Sequence, residues 1–195
     1  MAKAATTRLT ILQKAFDLVY RKGYQATSID DIIATTQVTK GAFFYHFKNK
    51  EEMGLAVIKE LMYPSMIPLL GNTLKEPGNI RVNIYKMMEA LLFNKQFFKV
   101  EYGCPVVNMI DEMAPLNVTF RKALTRVILA WQAEMESVIL KAQDQGQLSK
   151  EHDAKKIALY VISGYGGARN MGKIFGRSSY TSFLQEFQKY LNNLS

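Results

Sequence analysis

The sequence predicts an all-α protein of about nine helices: a three-helix N-terminal helix-turn-helix domain over residues 1–50, then a larger helical domain over 51–195. Three observations predict it. Apolar residues recur at helical spacing along most of the chain, while strand-like alternation is nearly absent. Gly, Pro and capping residues interrupt that pattern at short intervals, so connections are short. Positive charge is concentrated at one end: residues 1–50 carry eight Lys/Arg against three Asp, whereas 51–195 carry seventeen basic residues against fourteen acidic ones.

The elements follow in order. Leu9, Leu12, Phe16 and Val19 share one face of a helix over 7–22 that stops at Gly23. Ser28 with Asp31 resembles a capping box and opens a short helix over 29–36; Thr39 caps a second over 40–46. Asn49 with Glu52 starts a longer helix through Leu55, Ile58, Leu61 and Met62, which Pro64 and Pro68 are expected to kink or end. A loop at 75–79 leads to a helix reaching about Gln96. Gly103-Cys104-Pro105 breaks the chain before a short helix up to Pro115. A long pattern over 116–145 and two helices over 152–173 and 179–193 complete the domain.

Composition narrows the function. Of the 195 residues 48% are hydrophobic, enough for a core. No uninterrupted apolar run approaches the roughly 18 residues that span a bilayer, and the N-terminal MAKAATTRLTILQKAF has no leader pattern. Together these read as mature, cytoplasmic chain with no membrane partner. One cysteine, Cys104, cannot build a disulfide framework. The two histidines stand far apart, and no HExxH, Gly-x-Ser-x-Gly, P-loop or cysteine pair is present. An enzyme, a metal site and a bound cofactor are therefore not expected. The net charge of +8 suits a polyanionic partner.

Residues 27–50, TSIDDIIATTQVTKGAFFYHFKNK, carry the functional signal. Two short helices joined at Thr36-Gln37-Val38 turn Ile29, Ile32, Ile33 and Val38 inward. The second presents Lys40, Ala42, Tyr45 and His46 outward, as a recognition helix entering a major groove does. Thr39 and the helix start suit phosphate or base edges, Lys40 reaches guanine acceptors, and Gly41 admits close backbone approach. Tyr45 and His46 suit phosphates or thymine methyls, and Lys48 and Lys50 suit the DNA backbone. Phe43 and Phe47, four apart, are expected in the core; Phe44 fits either role.

From Gly23 onward, G-Y-x-A-T-S-I-D-D-I and V-T-K-G-A-F-F-Y-H-F-K-N-K-E-E closely resemble the DNA-binding region of the tetracycline-repressor (TetR/AcrR) family. The resemblance covers about a quarter of the chain. It implies phosphate contacts near Thr27 and Ser28, base or phosphate contacts from Thr39, Lys40, Gly41 and Ala42 and at Tyr45 and His46, and a phosphate contact at Lys50. Two positions depart from the pattern. Gln37 stands where relatives often have glycine, which predicts a strained turn. Phe44 stands where they often have tyrosine.

For the rest of the chain the resemblance implies an internal ligand and a dimer formed by the last two helices. Glycines in Ser163-Gly164-Tyr165-Gly166-Gly167-Ala168 are costly inside a helix unless another helix approaches closely. Tyr160, Gly164, Gly167, Ala168, Phe183 and Phe187 are the interface candidates, and a self-complementary dimer matches a palindromic operator. Met62, Met66, Met88, Phe97, Tyr102, Cys104, Met109, Met113, Trp131 and Tyr165 are candidates to line a pocket for an apolar or aromatic effector, although a Met or aromatic stripe at helical spacing is more often core than pocket. Gly-Cys before a short helix also occurs in relatives that sense electrophiles, so a thiol-based regulator acting through Cys104 is the alternative. A non-specific DNA binder is a weaker one, because it needs no large domain of low net charge. The expected partners are a double-stranded DNA operator, a small-molecule effector and a second copy of the chain.

Overall fold

The computed structural model describes residues 2–94 and 98–194. Among the described residues there are nine helices and no strand. They are α1 (Ala2–Lys22), α2 (Ile29–Ala34), α3 (Lys40–His46), α4 (Lys50–Leu74), α5 (Ile80–Phe93), α6 (Pro105–Met113), α7 (Val118–Asp144), α8 (Ala154–Phe175) and α9 (Arg177–Asn192). The all-helical expectation holds, with shifts of a few residues at most ends.

The prolines behave differently from expectation. α4 continues past Pro64 and Pro68 to Leu74. A proline ring crowds the carbonyl four residues earlier, here that of Glu60. That carbonyl lies in a π-helical turn, Ile58–Met62, whose wider path makes room. Ser65 Oγ donates to the Leu61 carbonyl at 2.6 Å, a side-chain bond back onto the helix beside the π-helical turn. By length and composition α4 could cross a bilayer. Met53, Val57, Ile58 and Met62 on it are nevertheless buried, and Arg8 pairs with Glu60, so it packs as a core helix.

The chain forms two compact units, residues 1–65 with 105–126, and residues 66–104 with 127–195. In the first unit α1 buries Ile11, Leu12, Ala15 and Val19, and Leu9 lies at the surface instead of on that face. Ile32, Phe43, Phe47, Met53 and Phe120 complete its core. Gly54 seats two rings there: a Cβ would stand 2.6 Å from Tyr24 and 2.9 Å from Phe120. Gly23, at φ +91°, ends α1 in a backbone conformation that suits glycine, with its N–H on the Val19 carbonyl at 2.9 Å.

The second unit is built on Met87, Met88, Leu91, Trp131, Met135, Ile139, Val161 and Tyr165, with Tyr180 and Leu184 from α9. α8 runs unbroken through its glycines. Gly172 explains one of them, since a Cβ there would lie 2.5 Å from the Tyr180 hydroxyl. Gly176, at φ +70°, alone separates α8 from α9.

Candidate nucleic-acid interface

The expected capping box is present. Asp31 N–H donates to Ser28 Oγ at 3.0 Å, and Ser28 N–H donates to Asp31 Oδ2 at 2.8 Å. Lys22 Nζ reaches the same carboxylate at 2.8 Å. The Lys22 ammonium and then the Ser28 amide hold the Asp31 carboxyl well below the usual carboxylate range. The helix-turn-helix is thus tied to the end of α1 through one side chain.

The turn at 35–38 corrects an expectation. Among the described residues no non-glycine residue has positive φ, so Gln37 carries no left-handed strain. Two threonines close the turn instead. Thr35 Oγ1 and Thr36 Oγ1 donate to the Ile32 and Ile33 carbonyls at 2.9 and 3.0 Å, and Thr36 Oγ1 accepts the Val38 N–H at 3.2 Å. With hydroxyls serving the last carbonyls of α2, a glycine is not required.

Thr39 then caps α3, its Oγ1 accepting the Ala42 N–H at 3.2 Å. Phe43 and Phe47 are buried, as expected. The opposite face exposes Lys40, Gly41 and Tyr45, with Ala42 and His46 half-buried beside them. Tyr45 is 79% exposed, a large ring with little intramolecular packing. Lys40 pairs with Asp30 at 3.0 Å across an open surface, where the bond is weak enough to exchange for phosphate or guanine. Phe44 is 45% exposed against the edge of Phe43 and lies between the two roles.

Three side chains differ from a simple contact list. Thr27 is buried and its hydroxyl donates to the Gly23 carbonyl at 2.7 Å, so that hydroxyl is structural rather than offered to phosphate. Lys50 is half-buried over the Tyr24 ring at 4.4 Å, and its Nζ donates to the Gln25 carbonyl at 3.2 Å. Partial burial pushes its ammonium pKa down, and Glu112 pulls it back up. Glu112, which the sequence offers only as a surface acid or a partner for a cation, has a different role. Its carboxylate accepts the Tyr24 N–H at 2.8 Å and the Gln25 N–H at 2.6 Å, holding the loop that leads into α2. Some 88 residues separate these partners, and no local pattern marks them.

The pocket candidates divide between the units. Met62, Met109 and Met113 are buried in the first. Met66, Met88, Cys104, Trp131 and Tyr165 are buried in the second, where Tyr102 is half-buried. Phe97 lies outside the described residues. In the second unit Trp131 packs edge-on against Tyr165 at 5.2 Å. The Tyr165 hydroxyl lies beside the Cys104 side chain and accepts Arg169 Nε at 3.3 Å. Burial, then Cys104, raises the Tyr165 phenol well above its ordinary pKa, so it stays protonated. Arg169 was overlooked at the sequence level, although residues 157, 161, 165, 168 and 172 trace the buried face of α8 and place it there.

The interface candidates separate as well. Tyr160 is exposed, Gly167 is open, and Gly164 is half-buried against the Phe183 ring of the same chain. Gly164, Gly167, Ala168 and Phe183 line a shallow apolar groove with Met171 and Phe175. Ile174 and Phe175 are 70% and 63% exposed, and Met171 is 45% exposed. Tyr160, Gly164, Gly167, Met171 and Ile174 follow helical spacing along one face of α8. Phe187 is 3% exposed, stacked between Phe183 and Tyr190 in the same chain.

A short capped helix pair with a basic, aromatic face, in a chain that also forms a second compact helical unit, defines a helix-turn-helix DNA-binding regulator. Residues 11–57 match the family "Bacterial regulatory proteins, tetR family", and residues 84–186 match "Tetracyclin repressor-like, C-terminal domain". The chain belongs to the tetR family of transcriptional regulators and is not an enzyme. It is 36% identical over 121 residues to an HTH-type transcriptional regulator encoded in the lacX 3' region of Lactococcus lactis, and this match spans 62% of each chain. It is 28% identical over 169 residues to the transcriptional regulator AcuR of Cereibacter sphaeroides, covering 85% of this chain and 75% of that one. A TetR regulator from Chloroflexus aurantiacus shares the fold at a TM-score of 0.87 and 23% identity, over 98% and 97% of the two chains.

Proposed function

We propose that this regulator binds a palindromic operator as a homodimer, acts as a repressor in the cytoplasm, and is released by a small effector held in its second unit. The exposed face of α3 carries the reading: Lys40, Gly41, Tyr45 and His46 stand together over a buried Phe43–Phe47 floor. Thr39, Ala42 and the Ser28 cap border it, and Lys50 keeps two N–H donors for a phosphate beyond the one on the Gln25 carbonyl. Lys40 is assigned to base edges and Lys50 to the DNA backbone. The apolar stripe on α8 supports self-association, since apolar side chains this exposed gain from burial against a second copy.

Effector binding acts by preferring one of two arrangements of the dimer, and operator binding prefers the other, so each ligand weakens the other. The functional division at residue 50 belongs to this proposal. It differs from the packing division because 105–126 pack with the N-terminal unit. Full burial of Cys104 gives the thiol-sensing alternative less support than the effector reading, since sensing needs an accessible thiolate. Selection of duplexes from random DNA, followed by titration of the selected duplex, tests the reading. A palindrome bound by two chains is the expected result, and binding without sequence preference rejects it.

A further inference from the structure

Arg169 places a permanent positive charge inside the second unit with neutral surroundings. Its side chain is 1% exposed. Nε donates to the Tyr165 hydroxyl and Nη1 to the Tyr180 hydroxyl, each at 3.3 Å, and Nη2 donates to the Leu91 carbonyl at 2.5 Å. The Phe98 ring lies 4.4 Å from the guanidinium carbon. Among the described residues no Asp or Glu forms an ion pair with it. A guanidinium does not give up its proton, so burial leaves the charge in place. Hydroxyls at 3.3 Å and ring faces offset that charge less than a carboxylate does.

A second observation falls beside it. Trp131 Nε1 is buried with no hydrogen-bond partner among the described residues, and its ring packs against Tyr165, the residue that Arg169 also touches. An unmatched indole donor and a guanidinium without a counter-ion thus flank one tyrosine. Among the described residues the indole lacks any acceptor, and the guanidinium lacks an anionic one.

We propose that this cluster is an anion site: Arg169 receives the carboxylate of a small monocarboxylic acid whose apolar body lies against Trp131 and Phe98. The acid takes the guanidinium fork in place of the two phenol oxygens, and the Tyr165 and Tyr180 hydroxyls turn to donate to it. This names the chemical class of the effector and rests on the effector reading only for its regulatory consequence. It adds a carboxylate to the apolar or aromatic effector that the sequence suggests.

Trp131 is the only tryptophan in the chain, so its fluorescence reports on the site in the unmodified protein. The probes are benzoate against benzamide and butanoate against butanamide, pairs that differ in charge at nearly constant shape. Saturable change in Trp131 emission with at least one acid, and at least tenfold weaker response to its amide, is expected. Arg169→Met is expected to abolish the acid response and Arg169→Lys to retain part of it. The wild-type comparison decides the matter even if a variant fails to fold. Equal response to acid and amide, or no response to either acid at millimolar concentration, overturns the proposal. Release of a duplex selected by the protein is read separately. Acid binding without release leaves the anion site standing and removes the effector reading. Release by an amide and not by its acid does the reverse.

Discussion

Asp31 shows how much one exposed side chain can organise. It joins the Lys22 ammonium to the Ser28 amide, and both interactions require the carboxylate. Its folded pKa lies below the unfolded value. The stabilisation is therefore complete above the ordinary carboxylate range and is lost as pH falls through the lower, folded value. We expect Asp31→Asn to be less stable than wild type at neutral pH, with the difference vanishing in strong acid, as denaturant melts across a pH series will read. Lys40 and Lys50 make a second contrast. Lys40→Ala is expected to change which base pairs are preferred in selected duplexes. Lys50→Ala is expected to weaken binding to all duplexes and flatten the salt dependence. It also removes a cation from the Tyr24 ring, costing about 0.5–1 kcal/mol of stability. Sequence selection, salt titration and unfolding measurements separate these effects. At this scale the caps were legible because Ser28 with Asp31 and Thr39 act within three residues of their partners. Glu112 was not, because its partners are distant in sequence. Arg169 was passed over because a charged residue reads as surface even where helical period places it inside.

Single helices impose their own demands. α8 holds two kinds of glycine: Gly172 beneath Tyr180, and Gly167 with nothing within 4 Å of a Cβ. Gly172→Ala is expected to destabilise the second unit by about 1–3 kcal/mol, because a buried ring must move. Gly167→Ala meets no obstacle within the chain, so the helix is expected to gain up to about 1 kcal/mol in the monomeric Met171→Glu background, where no second copy presses on it. Denaturation at one fixed protein concentration will order the two. Helical period revealed α8 as an element, but nothing local distinguished a seat for an intrachain ring from a surface left open. The same limit applies to α4, where two prolines suggest an end and a π-helical turn lets the helix continue. It applies again to Phe187, whose apolar character fits an interface and whose neighbours turn out to be Phe183 and Tyr190.

For the molecule as a whole, the apolar stripe of α8 carries the expected assembly. Met171→Glu adds charge to an exposed position without disturbing the core. We expect it to yield a monomer by sedimentation and to weaken binding to a selected palindrome, because one recognition helix must then hold each half-site alone. Nine helices and their order were legible from periodicity and punctuation, since each short helix carries its own start signal. The return of residues 105–126 to the N-terminal unit was not, because tertiary packing between distant segments leaves no local trace. That return has a consequence for biosynthesis. A ribosome delivers residues 1–65 first, yet the Glu112 carboxylate and the Phe120 ring arrive only with the later segment. At roughly 5–20 residues per second the nascent N-terminal unit waits several seconds for the pieces that complete it. During that interval the nascent chain is expected to need chaperones, and a message truncated soon after the recognition helix is expected to yield a fragment for proteolysis rather than a small, unregulated DNA binder.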